Sequence, residues 1–294
     1  MSSAIRPTDD QALKLLADFV EQECGIYLDE SKNYLLISRL AGMIGETVDG
    51  SIYALYQKLT QQPGMALTER LINAITTNET TWFREQTPWL ILGEIVLPTM
   101  ITELRSGTKL KIRIWSAAAS TGQEIYSTVM YIDNYLRLNK IVDITLNNFE
   151  FYATDINSAV LQVATAGRYD AIAMQRGFSG EFADYRDRYF SNSGRYWELA
   201  ANIRGRVTFS KRNLLEKHAG NLFYDILFLR YVLIYFSETN KKIALANLYE
   251  QANKNAVLFC GNSEIVDNQI NPFTRIADSL RAYYRKTDKA CWQV

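Results

Sequence analysis

Apolar residues recur at three- and four-residue steps through the first quarter of the chain, and that spacing predicts four short helices. In DDQALKLLADFVEQECG, Leu13, Leu16, Phe19 and Val20 share a face and Gly25 closes the run. DESKNYLLISRLAGMIG has an acidic start and a glycine stop, SIYALYQKLTQQPG a serine cap and a Pro-Gly end, and MALTERLINAI is the fourth. No strand pattern interrupts them, so this part reads as a small all-helical unit. Beyond residue 105 the period changes. KLKIRIWSAA, FEFYATDIN, RVTFSKRN, YDILFLR, AVLFCGNSE and SLRAYYRK read as strands. TGQEIYSTVMYIDNYLRLN, SAVLQVATAG and the serine-capped SETNKKIALANLYEQAN read as helices between them. Alternating strands and helices predict an α/β sheet, mostly parallel. Between 171 and 205 neither period holds, and that aromatic, charged stretch is expected to be a small insertion. The expected organisation is a helical domain at 1–85, a connecting helix or linker at 86–105 and an α/β domain at 106–294.

Composition narrows the chemistry by subtraction. The 294 residues carry 32 Lys+Arg against 32 Asp+Glu, a balance that speaks against a nucleic-acid protein. Three widely spaced cysteines, Cys24, Cys260 and Cys291, make no CxxC pair, which fits a reducing cytoplasm. The N-terminal MSSAIRPTDDQALKLL has no apolar h-region. The most apolar stretch, ILFLRYVLIYF, is short and holds Arg230, so no membrane insertion is expected. His218 is the single histidine and reads as a solvated loop residue, which leaves no multi-histidine metal site.

In a doubly wound sheet ligands bind beyond the carboxyl ends of the strands, so those ends are read together. The first runs into WSAAASTGQE, small enough to admit a ligand against the backbone, although a tight strand-to-helix turn has the same composition. It lacks the several glycines that grip a pyrophosphate. The second ends in Asp155, placed either to accept from ribose hydroxyls or to cap the following helix. Later ends offer Asn213, an amide able to read an adenine edge, and Arg230 with Tyr235, a cation and a phenol. A ribose site without a phosphate grip points to S-adenosylmethionine, and no metal is required. One segment stays outside this scheme: TTNETTWFRE, too polar at its start for a core strand and too β-branched for a comfortable helix.

TTNETTWFRE, WSAAASTGQEIYS, ATDIN, LQVATAGRY, FSKRNLLE, YDILFLRYVLIYF and GNSE, in this order, resemble the CheR family of chemoreceptor methyltransferases over nearly the whole chain. The resemblance implies a small all-α N-terminal domain on a Rossmann-like methyltransferase domain with a three-stranded β-subdomain. It implies that TTNETTWFRE lies at the domain junction facing the cofactor, the alternative being a linker whose threonines and Asn78 cap a helix. By position, Asn78, Thr80 and Arg84 would contact S-adenosylmethionine or the acceptor. Glu124 would hold the methionine amino group, and Asp155, Asn213, Leu214, Arg230 and Tyr231 would complete the cofactor set. Four positions depart from the family pattern. Gln123 and Ile125 replace an acid and a proline flanking Glu124, Asn262 stands where histidine is common, and Tyr231 stands where asparagine is usual.

The implied reaction methylates glutamate carboxylates in the cytoplasmic helices of methyl-accepting chemoreceptors, leaving S-adenosylhomocysteine. A glutamate is already ionised at neutral pH, so no general base is needed. Arg84 and Tyr235 would orient the acceptor. The chain is expected to act as a cytoplasmic monomer. Members of the family differ in whether the β-subdomain docks a receptor's C-terminal peptide, and residues 171–205 leave this open. Two further readings stay open: another methyl acceptor, or a catalytically weak, cofactor-binding signalling adaptor.

Overall fold

The computed structural model describes residues 8–61, 64–217, 220–264, 272–277 and 282–287. His218 and Cys291 lie outside the described residues. Helix α1 (Asp9–Cys24) opens on a Thr8–Gln11 capping box, and Gly25 ends it at a φ of 80°. A Cβ on Gly25 would stand 2.8 Å from Leu215 and 3.2 Å from Phe236, so only glycine lets this helix end approach the cleft loops so closely. Helices α2 (Asn33–Gly45), α3 (Ile52–Gln61) and α4 (Met65–Ile75) follow. Leu16, Val20, Leu36, Leu40, Leu55 and Leu71 form their shared core, as the three- and four-residue spacing predicts.

The connecting helix is continuous but not uniform. Helices α5 (Thr87–Ile91) and α6 (Leu97–Arg105) are joined by a π-helical turn at Leu92–Val96. Gly93 in that turn leaves the space that the Tyr131 hydroxyl approaches, 2.3 Å from where a Cβ would stand.

The large sheet holds strands β1 (Ile112–Ala117), β2 (Phe149–Asp155), β6 (Val207–Lys211), β7 (Tyr224–Leu229), β8 (Ala252–Cys260), β9 (Thr274–Ala277) and β10 (Ala282–Arg285). Their order is β6-β2-β1-β7-β8-β10-β9. The first five run parallel, and β10 is antiparallel to both of its neighbours. Helices α7 (Gln123–Leu138), α8 (Ser158–Ala166) and α11 (Glu238–Glu250) connect the parallel strands. Both faces of the sheet are buried. Ile114, Ile226, Phe228 and Val257 pack with Val129 and Ile132 of α7 on one side. Leu227, Leu229 and Leu258 pack with Leu245 and Leu248 of α11 on the other. This is the doubly wound core the strand–helix alternation predicts. The sequence reading missed β9, a four-residue edge strand that is largely exposed.

The insertion is a three-stranded antiparallel sheet ordered β3-β5-β4, from β3 (Arg168–Tyr169), β4 (Phe190–Asn192) and β5 (Trp197–Leu199). Its first strand starts three residues before the stretch where the sequence pattern fails. Short helices α9 (Tyr185–Tyr189) and α10 (Ala201–Arg204) flank it. Trp82 and Phe83, from the junction segment, fasten it to the core. Trp82 packs against Tyr169, Phe178 and Phe190, and Phe83 stacks on Phe182 at 4.2 Å.

Candidate active site

The carboxyl ends of β1, β2, β6 and β7 open on one cleft, about 910 Å³ with the solvent space at its mouth included. Beyond β1, Ala118 and Ala119 donate their amides to the Thr154 carbonyl at 2.8 and 2.9 Å. Ala118 and Ser120 take φ values of 75° and 52°, so the small side chains serve a left-handed turn that leaves the backbone approachable. The Ser120 amide donates to Asp155 Oδ2 at 2.8 Å, and the Asn157 amide to Oδ1 at 2.9 Å. Burial pushes the Asp155 carboxyl above its ordinary pKa, and the amides of Asn157, Ser120 and Ile156 pull it partly back. The cap of α8 is Asn157, whose side-chain oxygen accepts from Ala159 and Val160 at 2.9 and 3.2 Å. Asp155 therefore does not cap that helix and retains lone pairs toward the cleft.

At the end of β7, Arg230 is a buried hub. It pairs with Glu124 at 3.0 Å and Glu85 at 2.7 Å, and its Nη2 also donates to the Arg84 carbonyl at 2.6 Å. Desolvation works against its charge, but Glu124 and Glu85 outweigh it and hold the guanidinium above its ordinary pKa. Its Nε is buried with no hydrogen-bond partner. Glu124 also accepts from Ser116 Oγ at 2.7 Å, so the acid opening α7 is held from two sides.

The junction segment crosses the mouth of the cleft. Asn157 Nδ2 donates to Thr76 Oγ1 at 2.7 Å, and Ser120 Oγ to the Asn78 carbonyl at 2.7 Å. Phe83 and Glu85 sit at φ values of 45° and 62°. Trp82 and Phe83 go into the core, Arg84 lines the cleft, and Glu85 meets Arg230 and Tyr231 beside it. Arg84 lies over the Tyr231 ring, 3.4 Å from its centroid, and donates to the Glu79 carbonyl at 3.1 Å. The Tyr231 hydroxyl donates to Glu85. Among the described residues, five of the seven non-glycine positions with positive φ are Phe83, Glu85, Ala118, Ser120 and Tyr231, all in loops that wall the cleft. Strained backbone of this kind gathers where surrounding structure dictates the geometry.

All ten residues singled out from the sequence line this cleft: Asn78, Thr80, Arg84, Glu124, Asp155, Asn213, Leu214, Arg230, Tyr231 and Tyr235. Some are less free than expected. Asn213 donates to the Glu23 carbonyl at 3.0 Å and accepts from the Leu215 amide at 3.0 Å, so its amide first ties α1 to the sheet. Asn78 donates to Thr76 Oγ1 at 3.3 Å. Two acids escaped the sequence reading as individuals, although each closes a motif it quoted. Glu85 ends TTNETTWFRE and bridges Arg230, Tyr231 and the Asn262 amide. Glu264 ends GNSE and accepts four amides, from Tyr231, Val232, Leu233 and Gly261, at 2.6 to 2.9 Å. Among the described residues, no group of three or more His, Cys, Asp or Glu is disposed to hold a metal, and no helix is long and apolar enough to cross a membrane.

Comparison with known proteins agrees with this architecture. The family described as CheR methyltransferase, SAM binding domain, matches residues 78–281, and CheR methyltransferase, all-alpha domain, matches residues 11–76. Chemotaxis protein methyltransferase 1 of Pseudomonas aeruginosa is 37% identical over 273 residues, spanning 92% of this chain and 96% of its own. Chemotaxis protein methyltransferase Cher2 of Pseudomonas putida is 38% identical over 250 residues, spanning 85% and 88%. The chemotaxis protein methyltransferase of Vibrio anguillarum is 34% identical over 268 residues, spanning 91% and 94%. With a helical domain, a doubly wound sheet and a three-stranded insertion meeting around one cleft, the chain belongs to the CheR methyltransferase family.

Proposed function

We propose that the chain transfers a methyl group from S-adenosylmethionine to glutamate side chains of chemoreceptors, giving glutamate methyl esters and S-adenosylhomocysteine. The observation that carries the reading is the cleft itself, which gathers Asp155, the small-residue loop at 118–120 and Arg84 in one lining. The donor set fits a nucleoside bearing an amino-acid tail. Asp155 has lone pairs to spare for ribose hydroxyls, the turn at 118–120 admits a ligand against backbone, and the orphaned Arg230 Nε is a buried donor in want of an acceptor. In this reading residues 1–85 form the helical domain, 86–105 the connecting helix or linker and 106–294 the methyltransferase domain.

When bound, S-adenosylmethionine supplies an electrophilic methyl group on a positive sulfur. A carboxylate oxygen of the acceptor forms the new O–C bond as the C–S bond breaks, and both charges disappear into an ester and a thioether. Because charge is lost on the way, a dry and oriented site favours the step, and positioning supplies most of the rate. Arg84 holds the acceptor carboxylate through its planar fork. Tyr235 offers a phenol from the loop beyond β7 that also carries Tyr231. Both orient the anion and neither removes a proton.

Chemoreceptors are the proposed partners, through the glutamate-bearing helices. The outer strands of the insertion, β3 and β4, are suited to accept a receptor's C-terminal segment as an added strand. The reading is tested by incubating the chain with methyl-labelled S-adenosylmethionine and receptor-containing membranes. Label should appear on the receptor and be released as methanol by mild base. Label stable to base, or cofactor binding with no transfer to receptor, would overturn it.

A further inference from the structure

The stack at the cleft mouth has a consequence beyond cofactor binding. Tyr231 adopts a φ of 62°, a left-handed backbone that asparagine enters far more readily than a bulky residue. Glu264 holds that backbone through the Tyr231 amide at 2.6 Å. The side chain is then spent on protein partners. Its ring carries the Arg84 guanidinium at 3.4 Å, and its hydroxyl donates to Glu85, whose other oxygen takes Arg230 at 2.7 Å. Arg84 contributes one hydrogen bond of its own to the enclosure, to the Glu79 carbonyl.

We propose that Tyr231 is a positioning residue for Arg84: the ring holds the guanidinium flat across the cleft, and the hydroxyl locks the ring to the Glu85–Arg230 pair. Its consequence for turnover rests on the methyl transfer proposed above; its geometry does not. A half-buried arginine has many rotamers, and confining it when substrate arrives costs entropy. A ring already beneath the guanidinium removes part of that cost and adds a cation–π attraction. An asparagine in the same place has no ring to offer, so the tyrosine presents Arg84 to the acceptor in a different way.

The test compares Tyr231→Asn and Tyr231→Phe with the wild-type chain. Asparagine suits the left-handed backbone and phenylalanine keeps the ring, so both variants are expected to fold, as thermal melting will verify. The first readout is the ring-current shift of the Arg84 side-chain resonances by NMR, assigned by their loss in Arg84→Lys. The second is kcat/KM for receptor set against the Kd of S-adenosylhomocysteine. Tyr231→Asn should abolish the upfield shift and lower kcat/KM about tenfold while leaving Kd within about twofold. Tyr231→Phe should keep the shift and most of the transfer. An unchanged Arg84 shift in Tyr231→Asn, or a Kd that worsens as much as transfer does, would overturn the assignment. If the wild-type chain methylates no receptor, the methyl-transfer reading fails by itself, and the NMR comparison still decides whether Tyr231 positions Arg84.

Discussion

Asp155 and Arg84 both line the cleft and should fail in different ways when replaced. Asp155→Ala should weaken S-adenosylmethionine and S-adenosylhomocysteine alike by about 1–3 kcal/mol, the scale of losing a charged hydrogen-bond partner, and calorimetry measures both. The Asp155 carboxyl is raised above its ordinary value of 3.8 by burial. Its contribution to stability is therefore fully present below the unfolded value and lost as pH rises through the folded one. Ligand affinity should run the other way, because ribose hydroxyls donate to the ionised form: binding weakens as pH falls through that raised value, and Asp155→Asn flattens the dependence. Arg84→Ala should instead slow methyl transfer by about 10²-fold while S-adenosylhomocysteine binds within about 1 kcal/mol of wild type. Arg84→Lys should not restore the rate, since an ammonium lacks the planar fork. Parallel loss of affinity and rate in Arg84→Ala would place that guanidinium on the cofactor instead.

Loops, not strands, give the cleft its shape, and the 230–233 loop is held chiefly by Glu264. Four amides converge on that one carboxylate. Glu264→Ala strands all four, so it should lower stability by about 3 kcal/mol in urea and loosen Tyr231 and Arg230 together. Asn262, two residues earlier, has an exposed side chain, and Asn262→His should stay within about 0.5 kcal/mol. Comparable losses in the two variants would mean that the GNSE motif is not a loop clamp. The same contrast explains what the sequence revealed. Periodicity exposed the helices of the first domain and every parallel strand: the helices bury a face, β1, β2, β7 and β8 are largely buried, and the edge strand β6 alternates half-buried Val207 and Phe209 with exposed Thr208. It could not expose β3, two residues long, or β9, on an exposed edge. Asp155 and Asn157 are both acceptors near a helix start, and only three-dimensional structure shows that Asn157 takes the cap. Apart from the Gly261 amide on Glu264, the partners of Glu85, Glu264 and the stack on Tyr231 lie 31 to 177 residues away, a separation at which no local pattern forms.

At the scale of the molecule, the junction segment makes the two parts one catalytic unit. It fastens the insertion through Trp82 and Phe83, crosses the cleft mouth and delivers Arg84 and Glu85 to the site. The central claim is that this assembly works by positioning an acceptor that is already an anion, with no proton to remove. Single-turnover transfer from prebound S-adenosylmethionine to receptor glutamates, followed across about pH 6 to 9, tests it most directly. Above the acceptor's own ionisation, near about 4.3, the account predicts a base-labile glutamate ester formed at a rate that is flat with pH. A rate that climbs about tenfold per unit through neutrality would reveal a titrating general base and contradict it.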